Sequence, residues 1–186
     1  GYPLVMERGQ GARVWDVDGN EFIDFTTGIA VTATGHAHPA VVQAIKDQAE
    51  KFIHMSGTDF YYGPQIDMAE RLASVAPFDD EAMVFFCNSG AESVEAAAKL
   101  ARYYTERGRF IAFLRGFHGR TMGALSFTAS KSIQREDFFP LVPGITHVPY
   151  PNPYRPLLTD GGFADYGERI VDYIEREIFQ TIVPAK

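Results

Sequence analysis

The sequence predicts an α/β fold, and two observations carry the prediction. The apolar run Ala82-Met83-Val84-Phe85-Phe86-Cys87 has the length and unbroken hydrophobicity of a strand buried in a parallel sheet. It passes through Asn88-Ser89-Gly90-Ala91-Glu92 into helix-forming sequence from Ser93 to Arg107. A second run of the same kind, Phe110 to Leu114, follows that helix. Strand, helix and strand in this order, with small and polar residues in the loops at the carboxyl ends of both strands, mark a layered α/β domain.

The elements follow one another clearly. Val14 to Val17 and Glu21 to Phe25 alternate apolar and polar residues on either side of Asp18-Gly19-Asn20, a strong local hairpin signal. Pro39 opens a helix with Val41, Val42, Ile45, Ala49 and Phe52 on one face. Another helix follows Pro64, with Ile66, Ala69, Leu72 and Ala76 as its stripe. The helix from Ser93 is expected to close at Gly108 as its C-cap, and its Tyr103-Tyr104 pair reads as core. Beyond the strand at Phe110 lies the loop Arg115-Gly116-Phe117-His118-Gly119-Arg120-Thr121, on the edge where open α/β sheets bind ligands. The proline-rich stretch from Phe138 to Pro156 holds one short strand candidate, Ile145 to Val148. Asp165 to Phe179 reads as an amphipathic helix with Tyr166, Ile170, Tyr173, Ile174 and Ile178 inward. An N-terminal hairpin-and-helix segment, 1–60, is expected to give way near Phe60 to Pro64 to the first part of an α/β domain, 61–186.

With 186 residues, 46% hydrophobic and 22% charged, the chain can bury one proper core and a small satellite unit. A net charge of -7 without a basic stripe argues against nucleic acid or an anionic membrane as partner. No stretch reads as a signal peptide or membrane span, and the single cysteine, Cys87, has no internal disulfide partner, so a cytoplasmic location is expected. The start at Gly1 and the end at Lys186 both read as cut.

Chemistry concentrates at the two loops. The first N–H groups of a helix lack intrahelical acceptors and sit at the positive end of its dipole, so the Ser-Gly-Ala corner suits a phosphate. Ser89 and Glu92 also have capping-box spacing, with Ser89 accepting from the Glu92 N–H and Glu92 reaching back to the Ser89 N–H. Such a box leaves the Gly90 and Ala91 N–H groups free, and glycine allows close approach of the backbone to a ligand. On the residues alone, a structural cap and a phosphate site are both open. Arg120 likewise reads either as a salt-bridge partner or as a planar guanidinium matched to a carboxylate. His36 and His38 have no companions at zinc spacing, and no metal is expected.

The runs Trp15 to Phe25, Gly28-Ile29-Ala30-Val31, Gly35-His36-Ala37-His38-Pro39, Asn88-Ser89-Gly90-Ala91-Glu92 and Phe117-His118-Gly119-Arg120-Thr121 stand in the order found in class III pyridoxal-phosphate-dependent aminotransferases. Over nearly its whole length the sequence resembles the branch of 4-aminobutyrate, ornithine and acetylornithine aminotransferases. Phe138-Phe139-Pro140 through Pro149-Tyr150-Pro151-Asn152-Pro153-Tyr154 is similar to archaeal members known as aminotransferases or as amino-acid racemases. The resemblance implies a fold type I transferase, a pyridoxal 5'-phosphate cofactor, a homodimer, and transfer of an amino group from 4-aminobutyrate or a related amino acid to 2-oxoglutarate. Ornithine or acetylornithine as donor, racemisation, and a non-catalytic anion-binding fragment are the alternatives. It further implies that Ser89, Gly90 and Ala91 hold the cofactor phosphate, that Phe117 stacks on its ring with His118 beside it, and that Arg120 grips a substrate carboxylate. Ile29 becomes a hydrophobic wall of the substrate pocket, and Thr58, Asp59, Phe60 and Tyr61 line it at the dimer interface.

The family's reaction needs a lysine that carries the cofactor. Lys46 and Lys51 fall on the solvent side of an early helix, Lys99 pairs with Glu95 one turn before it, and neither Lys131 nor Lys186 stands in the required motif. No catalytic residue is therefore expected within 1–186, which the resemblance places as roughly the first two fifths of a longer enzyme.

Overall fold

A computed structural model describes residues 2–78, 81–158 and 165–184. They divide into two compact units, Gly1–Ala82 and Met83–Lys186. This division by packing lies well beyond the Phe60 to Pro64 segment.

The first unit opens with three antiparallel strands, β1 (Met6–Gln10), β2 (Arg13–Asp16) and β3 (Glu21–Ile23), in that order. The expected hairpin is β2–β3, with Val14 opposite Phe22 and Trp15 opposite Glu21. Asp16 shapes its turn: the buried carboxylate accepts from the Asn20 side-chain amide at 2.9 Å and from the backbone N–H groups of Asn20 at 2.8 Å and Asp18 at 3.1 Å. Gly19 takes the positive φ, 83°, that the turn demands. Strand β1 was not legible, because Met6-Glu7-Arg8-Gly9-Gln10 has no apolar alternation; Arg8 instead lays its guanidinium 3.7 Å from the centre of the Trp15 ring.

After β3 the backbone does something unusual. Thr27, Gly28, Ile29 and Ala30 have φ of 46°, 64°, 66° and 62°, a left-handed turn. For L-residues this costs about 1–2 kcal/mol each, and a β-branched residue such as Ile29 suits it poorly. Asp24 holds the turn: one carboxylate oxygen accepts from the Thr26 N–H, the Thr26 hydroxyl and the Thr27 N–H at 2.8 to 2.9 Å, and the other meets His36 Nε2 at 2.7 Å. His36 is fixed in turn by paired backbone bonds with Gly11, and Gly9 leaves room for its ring.

His36, followed by Thr26, holds the Asp24 carboxyl well below the ordinary carboxylate range. A depressed carboxyl stabilises the fold above its unfolded pKa, and that contribution is lost only as pH falls through the folded value. In His36→Ala the Asp24 carboxyl is expected to titrate at higher pH, so the loss comes earlier on acidification. Carbon-detected NMR of the Asp24 carboxyl checks this, and an unchanged titration contradicts it.

Helices α1 (Pro39–Lys51) and α2 (Gly63–Ser74) form where Pro39 and Pro64 place them. Their apolar stripes stay largely open: Val41, Ile45, Ile66 and Leu72 are all exposed. The periodicity foretold the helices correctly but not a cover for them among the described residues.

The strand expected from Ala82 to Cys87, where the second unit begins, does not form. Residues 82–87 belong to no ladder, and Met83 and Phe85 are exposed. A strand exists only through its hydrogen-bonding neighbours, and none is supplied among the described residues. Helix α3 (Gly90–Thr105) follows. It ends at Glu106, whose φ of 56° makes it the left-handed cap two residues before Gly108. Thr105 fixes this end, its hydroxyl donating to the Ala101 carbonyl at 2.7 Å and accepting from the Arg107 N–H at 3.2 Å. Tyr103 and Tyr104 lie on the outside of α3, contrary to the core reading.

Strand β4 (Phe110–Phe113) pairs in parallel with β5 (Ile145–Val148), Phe110 opposite Ile145 and Phe113 opposite Val148. Between them lies the unforeseen short helix α4 (Met122–Phe127), with Ala124 and Leu125 buried. Helix α5 (Tyr166–Tyr173) continues through a wider π turn, Ile174–Ile178, to Thr181. Its inward face is the expected one: Tyr166, Ile170 and Ile178 are buried. Val148, Ile178 and Val183 form a core cluster with Ile111, Tyr173, Ile174 and Phe179 packed around it.

Candidate active site

Within the second unit the start of α3 and the loop after β4 share one open cleft of about 660 Å³, lined by Gly90, Ala91 and Val94 from the helix and by Phe117 to Thr121 from the loop. The junction is tight. Gly119 has φ 126°, and a Cβ there would stand 2.7 Å from Ala91 Cβ and 2.9 Å from Ala91 Cα.

The helix start is capped, though not as the capping-box spacing suggests. Ser89 Oγ accepts from the Glu92 N–H at 3.2 Å as expected, but the Glu92 carboxylate reaches the N–H of Asn88, at 2.7 Å, rather than that of Ser89. The Ser89 carbonyl takes the Ser93 N–H. Among the described residues the N–H groups of Gly90 and Ala91 have no acceptor, and both residues line the cleft. A Cβ at Gly90 would meet nothing within 4 Å, and its φ is not positive, so neither packing nor backbone shape requires glycine there. Glycine at a helix start leaves the backbone open to close approach by an anion.

Opposite, Phe117 is exposed with its ring edging the cleft. His118 packs edge-on to Phe127, the centroids 6.1 Å apart. Arg120 is exposed and has no ion-pair partner among the described residues. Five of the expected residues, Gly90, Ala91, Phe117, His118 and Arg120, thus gather at one cleft. Ser89 stands just outside its lining, and Ile29 belongs to the first unit, on the left-handed turn, 91% exposed.

Sequence reasoning missed Glu95 and Thr128. Lys99, expected to pair with Glu95, acts on it only through its charge, with no direct ion pair among the described residues; Glu95 Oε1 accepts from the Thr121 hydroxyl at 2.6 Å and the Ala124 N–H at 3.1 Å. Only its i+3 spacing from Glu92, on the helix face of the capping residue, hinted at this. None of the described lysines lines the cleft. Among the described residues no three His, Cys, Asp or Glu side chains are placed to hold a metal ion, and no helix is long and apolar enough to cross a membrane.

A cleft that joins an aromatic ring to two helix N–H groups and a guanidinium, none of them with a partner among the described residues, is suited to an anionic, ring-bearing ligand. The chain belongs to the class-III aminotransferase family, whose model matches residues 1–182. It is 56% identical over 149 residues to the acetylornithine aminotransferase of Methanopyrus kandleri, covering 80% of this chain and 38% of that protein. It is 37% identical over 186 residues to the alanine/serine racemase of Pyrococcus horikoshii, covering 98% and 39%. Among solved structures it is similar to the omega transaminase of Pseudomonas jessenii in complex with PMP, with a TM-score of 0.87 at 28% identity over 96% of this chain and 40% of that one. The fold is therefore that of the fold type I transaminases, and the chain spans about two fifths of the length of these relatives.

Proposed function

We propose that the whole protein is a pyridoxal-phosphate-dependent aminotransferase that moves an amino group from an amino acid with a distal amine to 2-oxoglutarate. Acetylornithine now leads as donor, ahead of the 4-aminobutyrate of the sequence reading, because relatives named acetylornithine aminotransferase reach 56% and 52% identity. The observation that carries the proposal is the pair of acceptor-free N–H groups, Gly90 and Ala91, on the same cleft as Phe117 and Arg120.

Pyridoxal 5'-phosphate, when bound, supplies the carbon that takes up the amino group and a ring that accepts the electron pair left on the donor. This chain's residues do the holding. The Gly90 and Ala91 N–H groups, at the positive end of a 16-residue helix, bind the phosphate. Ser89 Oγ, already an acceptor for Glu92, still has its own proton to donate there. Phe117 covers a face of the ring and His118 fills the space beside it. Arg120 receives a substrate carboxylate in bidentate fashion. The role of Ile29 as a hydrophobic wall rests on the resemblance alone, as do a homodimeric assembly, a cytoplasmic location and the assignment of 61–186 to the cofactor-binding domain.

The test is to supply acetylornithine and 2-oxoglutarate to the full-length protein: glutamate should form only when both are present. Racemisation is the second reading, favoured by the racemase match that spans 98% of this chain. Decay of optical rotation with alanine or serine alone, without added oxo acid, selects it. For Arg120→Ala the KM for a carboxylate-bearing donor should rise about 10- to 100-fold, equivalent to loss of a charge-assisted contact, with cofactor affinity unchanged. A loss of thermal stability alone contradicts that role.

A further inference from the structure

We propose that Glu95 and Thr128 are positioning residues, which aim Arg120 by pinning the loop on either side of it. The inference rests on the reading of Arg120 as the carboxylate-binding group. The loop is stitched down at three places. At its base the Arg115 N–H donates to the Ala129 carbonyl at 3.0 Å, and the Ala129 N–H to the Gly116 carbonyl at 2.9 Å. In the middle stands Thr128, wholly buried. Its hydroxyl accepts from the His118 N–H at 2.9 Å and donates to the Gly119 carbonyl at 2.9 Å, the Ala124 carbonyl lying farther off at 3.2 Å.

At the far end Glu95 reaches across from α3, a single oxygen accepting both the Thr121 hydroxyl and the Ala124 N–H. The carboxylate fits because residue 123 is glycine; a Cβ there would overlap it. The Thr121 hydrogen bond, foremost, holds the Glu95 carboxyl below its ordinary value, so it is an ionised acceptor at neutral pH.

Between these stitches, Phe117 and Arg120 are the loop residues whose backbones make no hydrogen bond among the described residues. Arg120 is thus carried between two tethered neighbours, Gly119 held by Thr128 and Thr121 held by Glu95. A long guanidinium stem loses rotamer freedom when it binds, and fixing its root limits how far its head can stray. Displacing a binding group by 1 Å can cost on the order of 100-fold.

The experiment uses the full-length holoenzyme and the variants Thr128→Val, Thr128→Ser, Glu95→Ala and Glu95→Gln, each alone and combined with Arg120→Ala. Thr128→Val and Glu95→Ala should raise the KM for a carboxylate-bearing donor about 10-fold while kcat and the cofactor Kd move less than about twofold. Thr128→Ser and Glu95→Gln should restore it, since each keeps the hydroxyl or the single accepting oxygen. In the Arg120→Ala background neither damaging change should raise KM further, because all act through one group. If Arg120→Ala raises KM but Thr128→Val and Glu95→Ala multiply that rise, or only lower thermal stability, the positioning role is overturned while the reading of Arg120 stands. If Arg120→Ala leaves KM unchanged, the reading of Arg120 falls and takes this inference with it. Should Thr128→Val fail to fold, the Glu95 pair decides alone.

Discussion

Replacing Gly90 with valine is expected to leave the folded protein nearly as stable as before and to weaken its hold on pyridoxal phosphate by on the order of 100-fold or more. The first half follows from the absence of any atom within 4 Å of a Cβ built there and from a backbone that needs no glycine. Valine exceeds glycine in helix propensity by a few tenths of a kcal/mol, roughly, so the helix is not weakened by the change. The second half follows from what the residue's N–H can do. With its neighbour Ala91 it presents a donor that has no acceptor among the described residues, at the positive end of α3, and a branched side chain screens both from an approaching phosphate. Charge-assisted hydrogen bonds contribute about 1.5–3 kcal/mol each, so losing two accounts for the factor. Absorbance titration of the apoprotein with the cofactor, beside a thermal melt, checks both halves. Unchanged affinity removes the phosphate assignment; a large fall in melting temperature would mean that the glycine serves the fold.

Gly119→Ala should do the reverse and damage the fold first. Its Cβ would press on the first turn of α3, 2.7 Å from Ala91 Cβ and 3.0 Å from Ala124 Cβ, and one of the offending atoms, Ala91 Cα, is backbone that cannot step aside. The φ of 126° adds conformational strain that side-chain repacking does not relieve. Together these predict a loss of about 2–5 kcal/mol, summing overpacking and backbone strain, measured by urea denaturation of the full-length protein. Removing the Ala91 methyl as well, in Gly119→Ala with Ala91→Gly, should recover only part of it, because the contact with Ala91 Cα and the strained φ persist. A single variant as stable as the parent contradicts the close helix-to-loop junction.

The two glycines show what a sequence can and cannot reveal about such a site. Gly90 was legible because strand-like sequence, small residues and a long helix follow each other along the chain, and that order alone defines a helix start. Gly119 sits in a recognised motif, yet its reason for being glycine is Ala91, 28 positions earlier, and only three-dimensional packing brings them together. Thr128 and Glu95 were hidden for the same cause: a threonine closing a short helix and a glutamate within a long one look like ordinary capping and surface residues. The strands at Phe110 and Ile145 were readable from local apolar runs, and they pair as parallel neighbours. The run from Ala82 looked just as strand-like, but ladder formation depends on partners, which local pattern does not supply. The same holds for the stripes of α1 and α2, where periodicity fixed the helices and said nothing of what lies against them. Strand β1 was lost because Arg8 contributes through stacking on Trp15 rather than through apolar alternation.

On the proposed role of Ile29 as a pocket wall, winding Thr27 to Ala30 against the handedness of L-amino acids makes position 29 a place where selection for robustness and selection for catalysis pull apart. Glycine there would relax the main chain by about 1 kcal/mol, while stripping away the hydrocarbon that a substrate is expected to meet. A mutant library screened for heat tolerance alone would therefore drift toward glycine at this residue and discard the side chain proposed to wall the pocket.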